Sequence, residues 1–162
     1  MSLLIIITFY FYMRLVIQRV NKATVKTPDG YSRSINKGIM VLVGITHSDT
    51  REDAEWLAVK IAAMRIFDDE DGVMNLSIKD IDGEVLIVSQ FTLHARVKKG
   101  NRPSYMDAAP SELAIPLYKH FISCVEAKIG KPVPTGVFGA NMDVELVNNG
   151  PVTILIDTEN KL

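Results

Sequence analysis

Glu84-Val-Leu-Ile-Val-Ser-Gln-Phe-Thr-Leu93 carries the strongest strand signal in the chain, and the rest of the fold arranges itself around it. Four successive apolar residues, three of them β-branched, suit a strand buried on both faces. Alternation carried through to Leu93 sends Ser89 and Phe91 to one face and Gln90 and Thr92 to the other, with His94 on the Thr92 face. The turn signal Asp82-Gly83 leads into this strand. Upstream, Gly38 introduces Ile39 to Ile45, a second apolar run that reads as a central strand. From Met13 the pattern alternates: Leu15, Ile17 and Arg19 point one way, Val16, Gln18 and Val20 the other. A further strand over Ala23 to Thr27 meets the turn Pro28-Asp29-Gly30, and another runs from Tyr31 to Ile35.

Two helices interrupt the strands. Ser48, Asp49 and Thr50 are candidate N-caps, with Asp53 three residues after Thr50. The helix they open carries Ala54, Leu57, Ile61 and Met64 at helical spacing and ends near Phe67. A second helix is predicted from Ser111 to Ile129, closed by Gly130, with Pro116 separating or kinking its first turn. Two final strands, Val137 to Val147 and Val152 to Asp157, flank Asn148-Asn149-Gly150-Pro151. The expectation is an α/β fold of mainly antiparallel strands in stacked sheets, with both helices on one outer face. No repeat or linker divides it, so residues 13–162 are read as a single domain.

The chain has 162 residues, 48% hydrophobic and 23% charged, a balance that excludes a disordered protein and needs no disulfide or metal to fold. A net charge of −1 excludes binding of nucleic acid by bulk charge, so any such contact must be local. The single Cys124 has no partner within the chain, which points to a reducing, cytoplasmic setting. Ser2 to Tyr12 is apolar, yet shorter than the roughly 20 residues that span a bilayer, and it lacks the basic start and cleavage site of a signal peptide. Residues 1–12 are expected to be an extension outside the functional core, the rival being a strand packed on the domain or on a partner.

Several chemistries find little support. There is no CxxC or HExxH, and His47, His94 and His120 lie in separate segments, so neither metal nor cofactor is expected. Gly136-Val-Phe-Gly139 is too short for a dinucleotide fingerprint, and Asp68 to Gly72 fails an EF-hand alignment and reads as a solvated turn. Cys124 sits in an apolar helix as a small hydrophobe, the alternative being a reactive thiol.

Three features remain. Thr92 and His94 offer a hydroxyl beside a base, yet no local acid orients the imidazole, and the same residues suit a polar strand end. Asn149-Gly150-Pro151 is a turn signal in which Gly150 leaves bare backbone for a ligand to approach and the bond before Pro151 can adopt cis. Arg96, Lys98, Lys99 and Arg102 form a basic loop, either solvated or in contact with the phosphates of a nucleic acid.

Together these features resemble one family. Met13-Arg-Leu-Val-Ile-Gln-Arg-Val20, Ser89-Gln-Phe-Thr-Leu93 and Asn148-Asn-Gly-Pro-Val-Thr153 are similar to the opening and the two signature motifs of the D-aminoacyl-tRNA deacylases. Arg102-Pro-Ser-Tyr105 and Thr135-Gly-Val-Phe-Gly-Ala140 extend the likeness, which runs from Met13 to about Asp157. The resemblance implies a three-layer β/β/α fold and a homodimer that hydrolyses the ester between a D-amino acid and the 3′ end of tRNA. It implies a pocket at the dimer interface. Ser89, Gln90, Phe91 and Thr92 would form one wall, and Gly150 and cis-Pro151 would reach in from the other subunit, supported by Asn148 and Thr153. It further implies catalysis by the terminal ribose 2′-OH and by backbone N–H groups near Phe91. The basic loop, Arg96, Lys98, Lys99 and Arg102, is then expected to hold the tRNA phosphates. Two other classes stay open on the residues: a nucleic-acid-binding module without activity, against which stands an aromatic content of 7%, and a side-chain esterase using Thr92 and His94.

Overall fold

The computed structural model describes residues 12–161. Residues 1–11 of the expected extension lie outside the described residues. Seven strands and two helices follow in the order β1 (Arg14–Lys26), β2 (Ser32–Ile35), β3 (Gly38–Gly44), α1 (Arg51–Ala63), β4 (Phe67–Asp68), β5 (Met74–Leu76), β6 (Glu84–Ser89), α2 (Ser111–Ile129) and β7 (Asp143–Asp157).

Five of the strands form one mixed sheet. On one edge of β1, β2 and then β3 pair antiparallel, from Lys26↔Ser32 to Arg14↔Gly44, so the turn at Pro28-Asp29-Gly30 closes a long hairpin. β6 adds to β3 in parallel, and β7 pairs antiparallel along the other edge of β1. Alternation on β3 and β6 divides their side chains between two apolar clusters. Ile39, Val41, Val43, Val85 and Ile87 face the helices, packing with Leu57, Ile61, Leu117 and Phe121. Met40, Leu86 and Val88 face the other way, where Val20, Ala23, Val25 and Ile35 close over them. β1 contributes to both clusters, Leu15 and Ile17 to the first and Val20 onward to the second. The result is a curled sheet with apolar cores on both faces, where the sequence suggested separate stacked sheets.

Four boundaries differ from the sequence reading. What read as two strands, Met13 to Val20 and Ala23 to Thr27, is the single strand β1, irregular in its register with β7 around Arg19 to Lys22. Of the three candidate N-caps, Thr50 opens α1 in a capping box with Asp53, and the helix ends at Ala63, because Phe67 and Asp68 pair with Leu76 and Met74 across the acidic turn. Asp69 organises that turn by accepting the N–H groups of Asp71 and Val73. α2 runs unbroken through Pro116, whose missing N–H falls near the helix start and leaves only the Glu112 carbonyl without its intrahelical donor. The two expected terminal strands are one, β7, continuous across Asn149-Gly150-Pro151.

Candidate active site

The strand expected to reach Leu93 stops at Ser89 because its partner β3 stops at Gly44. The Gln90 N–H donates to the Val43 carbonyl at 2.7 Å as a last rung, and the chain then winds into a 3-10 turn over Phe91–His94. The Leu93 N–H closes that turn on the Gln90 carbonyl at 3.3 Å, and the Arg14 guanidinium anchors its far side by donating to the Leu93 carbonyl at 3.0 Å. The first amides of such a turn have no acceptor within it. No hydrogen bond from the Phe91 or Thr92 N–H is found among the described residues.

This turn lines a cleft of about 390 Å³ whose walls include Val43, Ser89, Phe91, Tyr105, Ala109 and Phe138. A smaller hollow of about 210 Å³ lies on its other side, against Gly139, Asn141 and Met142. Phe91 is 56% exposed and meets Tyr105 edge-on, with ring centroids 5.1 Å apart. Its apolar surface at the mouth of a cleft suits a flat or apolar ligand.

The dyad suggested by Thr92 and His94 does not form. The Thr92 hydroxyl accepts a hydrogen bond from the Gln90 amide. His94 is buried against Gly44, where an added Cβ would stand 2.9 Å from Nε2. Burial pushes its imidazole below the ordinary histidine range, so it is neutral at pH 7, and its Nε2 has no hydrogen-bond partner among the described residues. Strand alternation does not hold between the two residues, because a 3-10 turn spans them.

The Asn149-Gly150-Pro151 element sits on the far edge of the sheet. β7 runs in one register with β1 up to Gln18↔Thr153 and resumes at Val20↔Asn148, so four residues of β7 stand opposite Arg19. This wide bulge replaces the expected turn. Asn148 bridges it: its side-chain amide donates to the Arg19 and Val152 carbonyls, each at 3.0 Å. The Thr153 hydroxyl lies 3.4 Å from the Asn148 side-chain oxygen. Arg19 supports the bulge from beneath, donating through Nε to the Asn149 carbonyl at 3.2 Å and through Nη1 to the Ile66 carbonyl at 2.8 Å and Asp68 at 3.1 Å. Gly150 has φ +118°, where a side chain is strained, and a Cβ there would crowd Arg19 Nη2 at 3.0 Å. The Gly150–Pro151 bond is cis, and both residues are exposed.

Within one chain these two elements stay apart. β7 and β6 are separated by β1 and β3, three strand spacings, on the order of 14 Å. Of the basic loop, Arg96 is committed to Asp107, both carboxylate oxygens accepting from its guanidinium, while its backbone pairs with Ser104. Lys98, Lys99 and Arg102 are exposed and make no ion pair among the described residues.

The sequence reading assigned no role to Arg19 or Asp107. Arg19 had a visible signal, a charge on the buried face of an alternating strand. Asp107 lies in the same loop, five residues past Arg102.

A model of the D-Tyr-tRNA(Tyr) deacylase family matches residues 16–157. The chain belongs to that family. Among its relatives, a protein of Parabacteroides distasonis named D-aminoacyl-tRNA deacylase is 59% identical over 150 residues, which cover 92% of this chain and 99% of that one. Among solved structures, one described as a c-Myc DNA unwinding element binding protein superposes with a TM-score of 0.81 at 39% identity, covering 88% of this chain and 97% of its own. Another, described as a "probable eukaryotic D-amino acid tRNA deacylase", shares the fold with a TM-score of 0.78 at 18% identity over 91% of this chain and all of its own. In this member of the D-Tyr-tRNA(Tyr) deacylase family, no helix of the described residues is long and apolar enough to cross a membrane.

Proposed function

We propose that this chain hydrolyses the ester joining a D-amino acid to the 3′ end of tRNA, releasing both and so removing the wrong enantiomer before translation, in the cytoplasm. The observation that carries this reading is the turn after β6. It offers unpaired backbone N–H groups beside a ligand-sized cleft, and the one side-chain dyad the sequence suggested is absent. An ester is an activated acyl group. Hydrolysis then needs an attacking water, donors for the oxyanion and accurate placement, with no side-chain nucleophile. The Phe91 and Thr92 amides serve as the donors, and the 2′-OH of the terminal ribose activates the water.

Selection of one enantiomer needs an acceptor for the substrate ammonium at a fixed position. The backbone carbonyls of Gly150 and Pro151 supply it from the second subunit of a dimer, which the separation of the two elements within one chain supports. Discrimination is then steric: an L side chain meets backbone. Achiral glycine escapes such a filter, so glycyl-tRNA is a substrate too. Lys98, Lys99 and Arg102 hold the tRNA phosphates. Residues 1–12 lie outside this working domain, a reading supported by a family match that begins at residue 16.

The test is release of amino acid from D- and L-aminoacyl-tRNA, and from D-aminoacyl-tRNA ending in 2′-deoxyadenosine. Rapid release from the D substrate alone is expected, with the deoxy substrate nearly inert. Binding without release would favour the nucleic-acid-binding reading, to which the exposed lysines and the DNA-binding description of one structural neighbour lend support.

A further inference from the structure

Away from the cleft, the packed helices bring together a set of side chains that ester hydrolysis does not use. His120 and Cys124 stand four residues apart on α2 and share one face. Glu55 of α1 meets them there. His120 Nε2 lies 2.9 Å from Glu55 Oε1 and 3.5 Å from Cys124 Sγ, and the three ligand atoms all fall within 4.8 Å of one another. On the other side of the ring, Arg51 donates to His120 Nδ1 at 2.9 Å.

We propose that Glu55, His120 and Cys124 form a binding site for a borderline-soft divalent cation of the Zn²⁺ class, clasping α1 to α2. A thiolate, an imidazole and a carboxylate are the ligands that such an ion takes, and hard cations such as Mg²⁺ avoid the sulfur. A tetrahedron requires the three ligand atoms to come within about 3.3–3.6 Å of one another, drawn in from the 4.8 Å within which they now fall. Bond lengths of about 2.05 Å to nitrogen and 2.3 Å to sulfur put those two atoms about 3.5 Å apart, and 2.0 Å to oxygen puts nitrogen and oxygen about 3.3 Å apart. The N···S distance already matches. The N···O distance is shorter because a hydrogen bond now spans it, and the Glu55 side chain, 54% exposed, is free to swing outward. The open side of the cluster leaves the fourth position to water.

Arg51 is the competitor. Its donation makes Nδ1 an acceptor, so Nε2 carries the ring hydrogen and directs it at Glu55. For the ion to bind Nε2, that hydrogen must move to Nδ1 and Arg51 must withdraw into solvent, while the Cys124 thiol releases its proton to buffer. An ion so bound ties the folded helices together and stabilises the fold by mass action.

Cobalt(II) reports on the site directly, because a thiolate ligand gives it a charge-transfer band in the near ultraviolet. Titration of Co²⁺ into the full-length protein should raise such a band that saturates at one ion per chain and collapses when Zn²⁺ is added. Cys124→Ser should abolish the band and the rise in melting temperature that Zn²⁺ produces, with the rate of D-aminoacyl-tRNA hydrolysis in metal-free buffer unchanged. Arg51→Ala should tighten Co²⁺ binding by about tenfold, the scale on which partners of a metal ligand act. The proposal is overturned by a wild-type protein that gives no band, or by a Cys124→Ser protein whose Co²⁺ isotherm matches wild type.

Discussion

At the scale of single residues, the proposed mechanism assigns the chemistry to backbone, and Thr92 tests it. Its hydroxyl is occupied by Gln90, and the nearest imidazole is buried and neutral. Thr92→Ala should therefore keep deacylation within about tenfold of wild type, whereas loss of a group that moves a proton in the reaction costs about 10²–10⁴-fold. A loss of the larger size, with the 2′-deoxy substrate still cleaved, would hand the reaction to the side chain. Asp49 makes a prediction about stability. It is half-buried, and burial pushes its carboxyl up to about 6 although the Thr46 N–H and hydroxyl both donate to it. A carboxyl raised above its unfolded value of 3.8 contributes stability below that value and loses it as pH rises toward about 6. Asp49→Asn keeps an acceptor for Thr46 without the charge. The variant should gain melting temperature relative to wild type between pH 4 and about 7, and parallel curves across that window would refute the assignment.

At the scale of elements, the bulge in β7 depends on Arg19. Lysine in its place can satisfy Ile66 and Asp68 but lacks the second arm that reaches the Asn149 carbonyl. Arg19→Lys should cost about 1–3 kcal/mol in denaturant unfolding, the scale for one buried group left unpaired. Activity should fall further than stability, because the element carrying Gly150 loses its support; proportionate losses would make Arg19 a packing residue only. The basic loop is a separate element with its own test. Replacing Lys98, Lys99 or Arg102 by Ala should flatten the log–log salt dependence of tRNA binding by up to about one unit, while Arg96→Ala should instead loosen the loop it ties to Asp107. An unchanged slope in all three variants would return the loop to solvent. These elements also mark where the sequence was legible. The buried runs of β3 and β6 and the capping box of α1 are written in neighbouring residues, so they could be read. The Asn-Gly of β7 reads alike as a hairpin turn or a bulge. What decides between them is Arg19, some 130 residues away, together with a cross-brace from Asn148. Phe91-Thr-Leu93 likewise has strand propensity, overridden because β3 offers no further partner.

At the scale of the whole molecule, the sheet ends on an edge that looks unfinished. β7 is 15 residues long and pairs only with β1 among the described residues. A long, exposed edge is a template for further pairing unless charge or a bulge protects it. Val147 and Leu155 on this strand are 55% and 61% exposed, so its surface is apolar as well as unpaired. A second copy packed over the exposed face of this strand would cover both side chains. The proposed shared site needs the Gly150–Pro151 element of one chain to reach the Phe91 turn of the other, because one chain leaves them three strand spacings apart, on the order of 14 Å. Sedimentation at micromolar concentration should accordingly give twice the 18.0 kDa chain mass. Leu155→Lys puts a charge on that edge without touching either core, since Leu155 belongs to neither cluster. The variant should sediment as a folded monomer with wild-type circular dichroism and should lose deacylation of D-aminoacyl-tRNA. A monomer that retains full activity would dismantle the shared site, and a variant that stays dimeric would place the contact on another face of the sheet.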